Sequence, residues 1–357
     1  MLNNLFKNSS KSVSLFLMGS LILCNIFSGC SSEETSYIGS DFIILGDKMY
    51  GFEYKDYELK LIKESKSPKH MKNLGIMNLY ASDDTDHWIG KTTAAQNGRK
   101  NQQYLYSISK KENESNMVAP KDGDFKNVTI SNNQIYTVNY LNDKLKLLKY
   151  DKNLKVVTEK NIKTDDCIPT GIVADDQFVY VVCGKTNSSK VNNILYKFDL
   201  DFKLLESLEL GESTIPWQDM ELVNDTLYLS QPMENKVDVF DLKTNSFVDP
   251  LTFEFSSPMT LRLNETKEEL IIQPDYTRYK KPVFAVVDLK TNQVRTVSLD
   301  ENQLGWYSVV KEFFEENESY YFFSTQQYLA IIDKETLDVE YFDLSEFDIP
   351  YSYGILA

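Results

Sequence analysis

A chain of 357 residues that is 42% hydrophobic and 13% aromatic, with 22 Tyr and 20 Phe, holds ample material for a β-rich core and excludes intrinsic disorder. Its 38 basic and 53 acidic residues leave a net charge of −15, a field that repels phosphate backbones and argues against a nucleic-acid partner. The length admits two average domains, but all-β sheets wound in a circle run this long as one unit.

The chain begins with a positive segment, Lys7 and Lys11, followed by an apolar run from Val13 to Phe27. That run is shorter than the roughly 20 residues of a spanning helix and reads as a signal peptide over residues 1–29. Its removal takes away two lysines and no acid, so the mature chain stands at −17. Ile26-Phe27-Ser28-Gly29-Cys30 resembles the lipobox of bacterial lipoproteins, with Phe27 in place of the usual Leu. The resemblance implies a lipidated Cys30, a tether over residues 30–39, and an extracytoplasmic protein held by its lipid on the outer face of the cell membrane. Stable anchoring takes more than one acyl chain, which a diacyl or triacyl cysteine supplies.

From residue 40 onward the chain repeats one unit. It is clearest from Asp225 to Phe247, where Leu227-Tyr228-Leu229 and Val237 to Phe240 are β-type runs separated by the turn-forming Gln231 to Asn235. Asp241-Leu242-Lys243-Thr244-Asn245 closes the second run, and a further strand follows from Phe247 to Phe255. Equivalent turns fall at Lys55-Asp56, Lys110-Lys111, Asp151-Lys152, Asp199-Leu200, Asp288-Leu289 and Asp333-Lys334, spaced 41 to 55 residues apart. Seven such markers at this period predict an all-β, seven-bladed β-propeller of four-stranded blades over residues 40–357. The longest step carries polar insertions, Lys66 to His70 and Gln96 to Asn101, expected in loops. Aromatics such as Tyr320, Tyr321, Phe322 and Phe323 are expected to fill the space between blades.

Inner strands have a recurring start, as in Ile168-Pro169-Thr170-Gly171-Ile172-Val173-Ala174, Ile215-Pro216-Trp217 and Ser257-Pro258-Met259, with proline at a strand's first residue. Here the chain resembles the YVTN-type propeller repeat: a Pro-x-Gly-apolar-Ala inner strand, a Tyr-Val second strand and an apolar-Asp-turn third strand. The resemblance implies an extracytoplasmic propeller that binds or scaffolds, with neither catalytic residues nor a cofactor. The C-terminal Ile349 to Ala357 is one more inner-strand start with no hairpin after it, whereas Asp41 to Leu45, Met49 to Tyr54 and Glu58 to Ile62 lack an inner strand. Blade one is therefore expected to combine both ends of the chain, Tyr353 to Ala357 pairing with Phe42 to Leu45.

Candidate chemistry is sparse. The two histidines, His70 and His87, exclude a multi-His zinc site. Asp83-Asp84-Thr85-Asp86-His87-Trp88 lacks the spacing and central glycine of a calcium loop and reads as a solvated turn. Cys167 and Cys183 flank a hairpin expected to turn at Asp175-Asp176, which sets them nearly opposite; they are either a disulfide or two small apolar thiols. The loops leading into the inner strands, together with those between second and third strands, share one face of a propeller. On it fall Trp217, Gln218, Asp219, Trp306, Tyr351 and Tyr353, with Arg278 among several cations. Aromatics beside amides and cations suit a glycan or peptide, or an envelope protein. The expectation is a non-catalytic binding or scaffold lipoprotein. The alternatives are a metal-dependent lactonase or lyase of propeller type, with Asp219 its leading residue, and an accessory subunit of a membrane complex.

Overall fold

The computed structural model describes residues 40–66, 77–80, 87–94, 102–109, 115–120, 123–141, 144–164, 166–187, 190–264, 266, 268–304, 313–352 and 354–357. Residues Tyr37–Ala357 form one compact unit. The signal segment, Cys30, His70, Asp83 to Asp86, the loop Gln96 to Asn101, Trp306 and Tyr353 lie outside the described residues.

The strands fall into seven antiparallel sheets of four, giving a seven-bladed β-propeller. Blade 1 orders β28 (Gly354–Leu356), β1 (Phe42–Leu45), β2 (Lys48–Lys55) and β3 (Glu58–Lys66). Blade 2 holds β4 (Met77–Tyr80), β5 (His87–Ala94), β6 (Gln102–Ser109) and β7 (Ser115–Val118). Blade 3 holds β8 (Asp124–Ser131), β9 (Gln134–Leu141), β10 (Lys144–Tyr150) and β11 (Val156–Lys163). Blade 4 holds β12 (Cys167–Ala174), β13 (Phe178–Asn187), β14 (Lys190–Asp199) and β15 (Leu204–Ser213). Blade 5 holds β16 (Met220–Val223), β17 (Thr226–Gln231), β18 (Lys236–Asp241) and β19 (Ser246–Thr252). Blade 6 holds β20 (Pro258–Leu263), β21 (Glu269–Pro274), β22 (Val283–Asp288) and β23 (Val294–Ser298). Blade 7 holds β24 (Phe313–Glu316), β25 (Tyr320–Ser324), β26 (Tyr328–Asp333) and β27 (Val339–Asp343).

Middle strands such as β13, β22, β25 and β26 carry unbroken apolar runs because both faces of each blade are covered. Neighbouring residues go to opposite interfaces: Tyr321 and Phe323 pack toward blade 6, Phe322 toward blade 1. Among the described residues the core divides into seven apolar clusters, one between each pair of adjacent blades.

Five of the turns between third and fourth strands are closed by the same device. Asp151 Oδ1 accepts from the amides of Asn153 and Lys155, both at 2.9 Å, and Asp199 Oδ1 from Asp201 (3.0 Å) and Lys203 (2.8 Å). Asp241 holds Lys243 and Thr244, Asp288 holds Lys290 and Thr291, and Asp333 holds Glu335 and Thr336 in the same way. Each turn ends on a left-handed residue: Leu154, Phe202, Asn245, Asn292 or Leu337.

The ring closes as the sequence pattern predicts. Ile43, Ile44 and Leu45 pair with Leu356, Ile355 and Gly354. Ile355 packs in the cluster between blades 7 and 1, and Leu356 in the cluster between blades 1 and 2. The Ser352 amide donates to Gln326 O at 2.8 Å, tying the approach of β28 to blade 7.

Candidate functional site

Inner strands begin with a repeated irregularity. The ladder slips by one residue at Lys126 in β8, Thr170 in β12 and Met259 in β20. In blade 5 the residues just before β16 behave alike: Gln218 N donates to Ser230 O at 3.4 Å, and Asp219 O accepts from Ser230 N at 3.0 Å. An extra residue bends a strand and re-aims its side chain.

That bend turns Asp219 into the ring. Its Oδ1 accepts from Asn127 Nδ2 of blade 3 at 3.2 Å and from the Met220 amide at 3.0 Å, and its Oδ2 accepts from the Leu261 amide of blade 6 at 3.0 Å. Asn127 also reaches Thr170 O of blade 4 at 3.3 Å. One carboxylate and one amide thus join four inner strands. The Leu261 N–H belongs to the free edge of an inner strand, where the ladder provides no acceptor, and Asp219 supplies one. The residue expected to lead a catalytic alternative is committed to holding blades together.

The aromatic set is reduced. Trp217 is 4% exposed, and its indole Nε1–H donates to Asp238 Oδ2 at 2.8 Å. Expected on the open face, it belongs instead to the cluster between blades 4 and 5, where a large apolar ring with a buried donor finds both packing and an acceptor. Gln218 turns its Nε2 onto Pro216 O at 3.0 Å. Tyr351 stands open at 51% exposure.

Over blades 5 and 6 the face is different in character. Arg278 sits in the loop between β21 and β22, its Nε 3.2 Å from Asp275 Oδ2 and its Nη1 donating to Met233 Sδ at 2.8 Å. Met233 is 51% and Met259 37% exposed, and Lys280 and Lys281, which follow Arg278 in the same loop, are exposed as well. Sequence reasoning included Arg278 among the cations of this face but missed the two methionines, which carried no signal beyond their position in a loop and at a strand bulge.

Cys167 and Cys183 meet in the cluster between blades 3 and 4 as thiols, both buried. They are diagonal rather than opposite: Cys167 pairs with Lys185, and Cys183 with Pro169. The hairpin apex lies at Asp176-Gln177, because Asp175 Oδ1 takes the amides of Gln177 (2.7 Å) and Phe178 (2.6 Å), and the Thr170 slip returns one residue. A hydrogen bond from Cys183, with the nearby Lys185 charge, lowers the Cys167 pKa; burial raises that of Cys183. Among the described residues no three His, Cys, Asp or Glu side chains gather as a metal-binding group.

No family model matches the chain, and no curated protein matches it. Among solved structures it is similar to a chain of a nidogen–laminin complex, at 10% identity and a TM-score of 0.49, covering 71% of this chain and 91% of that one. It is also similar to Kluyveromyces lactis Hsv2, at 10% identity and a TM-score of 0.48, covering 84% and 93%. At that identity neither likeness extends to ligand or activity.

Proposed function

We propose that this chain is a lipid-anchored extracytoplasmic protein of the YVTN-repeat type that binds, without catalysis, an anionic glycan or acidic peptide on the face bearing the inner-strand lead-in loops. The observation that carries the binding reading is the patch over blades 5 and 6, where Arg278 lies against the Met233 thioether beside Lys280 and Lys281. A guanidinium held in place by Asp275 has lost part of its rotamer freedom before a ligand arrives, and exposed thioethers adapt to varied apolar contacts. On a chain that is acidic as a whole, the three cations of this patch offer an anion opposite charge. The fold is compatible with binding and scaffolding. The lactonase or lyase alternative is weakened, because both Asp219 carboxylate oxygens already accept structural N–H groups. Anchorage rests on the lipobox-like run ending at Cys30.

The test compares the parent with an Arg278→Glu/Lys280→Glu/Lys281→Glu variant on arrays of sulfated and carboxylated glycans and of acidic peptides. Signals of the parent should fall by about tenfold or more in the variant, as expected when like charges replace opposite ones at an interface. Retained signals move the site elsewhere. The same preparations, with Cys30→Ala, report the address by membrane fractionation and N-terminal mass; a variant retained like the parent removes the anchor.

A further inference from the structure

The chain enters the propeller at the end opposite its lead-in loops. Asp41, just before β1, donates its amide to Phe52 O at 2.7 Å and accepts the Tyr54 amide on Oδ2 at 2.7 Å, so it lies beside the last residues of β2. The turn from β2 to β3, Asp56-Tyr57, follows at once. Strands of a blade alternate in direction, so the turns between third and fourth strands lie at this entry end and the lead-in loops at the other.

The entry end carries a band of exposed apolar side chains. In blades 3, 4 and 5 the fourth strand has an apolar pair within its first three residues, Val156-Val157, Leu204-Leu205 and Phe247-Val248, all 40–54% exposed. Single exposed apolar residues are ordinary, but a pair at the same place on three successive blades makes a contiguous surface, and such surfaces mark contacts. Val157 and Leu205 are the extra residues by which β11 and β15 slip against β10 and β14, and an extra residue re-aims its side chain. Blade 1, where the chain enters, adds Tyr57. The left-handed apolar residues of the corresponding turns in blades 3 and 4, Leu154 and Phe202, are buried, whereas Tyr57, also left-handed, is 69% exposed.

We propose that this end of the propeller lies against the lipid bilayer, its apolar band dipping into the boundary between headgroups and acyl chains, so that the lead-in face is presented outward. The proposal rests on the anchor at Cys30 put forward above. Ten residues separate Cys30 from Asp41, a span of at most about 35 Å at full extension, and a lipid held there keeps the entry end nearer the membrane than the lead-in face. Apolar side chains of surface-bound proteins insert at that boundary, and tyrosine, with an apolar ring and a polar tip, is favoured at headgroup level. Charge does not drive the contact. Residues 151–155, 199–203, 241–245 and 288–292 hold five aspartates and five lysines, and Asp175, Asp176 and Asp225 in the turns between first and second strands add acid at the same end. The surface it fits is therefore zwitterionic lipid rather than anionic lipid.

Full-length protein reconstituted in phosphatidylcholine vesicles tests it. Val157→Trp, Leu205→Trp and Val248→Trp chains, each altered only at an exposed position, should gain emission that lipids brominated in their acyl chains quench and aqueous iodide does not. Met233→Trp and Met259→Trp, on the lead-in face, should show the reverse. A Val157→Glu/Leu205→Glu/Val248→Glu chain that also carries Tyr57→Trp should lose most of the lipid quenching shown by Tyr57→Trp alone. The mass of the N-terminus reports the anchor separately. A chain without lipid at Cys30 removes the anchor, and coupling its Cys30 thiol to a maleimide lipid then restores the tether, so that the band is read all the same; Cys167 and Cys183 are buried and do not compete. Band tryptophans open to iodide, lead-in tryptophans quenched by lipid, or protection from iodide that arises only at high protein density, as contact between copies would give, each overturn the proposal.

Discussion

Asp219 shows how much one side chain can carry in a ring whose inner strands have no partner on their free edge. Its carboxylate accepts from blades 3, 5 and 6, at 3.2, 3.0 and 3.0 Å. Asp219→Ala leaves the Leu261 amide and the Asn127 side chain without that acceptor, at about 1–3 kcal/mol for a buried donor left unmade. Asp219→Asn repairs one side only, since its amide presents a donor to a donor. Both variants should unfold at lower denaturant concentration than the parent, Ala at the lowest; an Ala variant with the parent's midpoint shows that the tie contributes nothing. The sequence offered Asp219 as a residue on the binding face but not its partners, because Asn127 and Leu261 lie 92 and 42 positions away and only ring closure brings them near. Trp217 was misread for a related reason: a lead-in position is exposed or buried according to the local bulge, which apolar periodicity does not reveal.

At the scale of elements, the repeated aspartates were legible because their work is local. Each Oδ1 holds amides two to four residues on, so composition at one turn suffices to identify it. Those backbone hydrogen bonds lower the pKa values of Asp241, Asp288 and Asp333. A carboxylate with a depressed folded pKa contributes stability that is present above its unfolded value, near about 3.9, and is lost as pH falls through the folded value. Glu316 has the opposite sign. Burial raises its pKa, against the attraction of Lys334 at 2.6 Å, so its contribution is present below the unfolded value and lost as pH rises through the folded one. Melting temperatures of the parent, Asp241→Asn/Asp288→Asn/Asp333→Asn and Glu316→Gln should therefore diverge across pH 3 to 7 in opposite senses. The aspartate variant should lose most near neutrality and converge on the parent in acid, whereas the parent's advantage over Glu316→Gln should grow toward acid. Parallel curves would show that these groups titrate alike in folded and unfolded chains. The Cys167 hairpin was less legible than these turns, because its register depends on both the Asp175 turn and the slip at Thr170.

For the molecule as a whole, the blade count and the closure could be read from what was missing: a C-terminal strand start without its hairpin and an N-terminal blade without its inner strand. The inference succeeded because a propeller blade needs four strands and a closed ring leaves no blade face uncovered. The energetics follow from alternation along three residues. Ile355, 1% exposed, fills the cluster shared with Phe42, Phe322 and Leu329, and Leu356, at 0%, fills the one shared with Ile43, Tyr104 and Tyr106. Removing residues 354–357 strips an aliphatic side chain from each interface flanking blade 1, about 1.5–3 kcal/mol apiece, and uncovers the β1 edge as well. The loss of about 3–6 kcal/mol is a large part of the 5–15 kcal/mol that holds a typical domain. The truncated chain should melt well below the parent and aggregate through its open edge, and a peptide spanning residues 349–357, added in excess, should restore part of the difference by reoccupying β28. The peptide separates closure from general damage: a truncated chain that melts with the parent, or one that the peptide leaves unmoved, shows that β28 pairs with β1 without holding the ring shut.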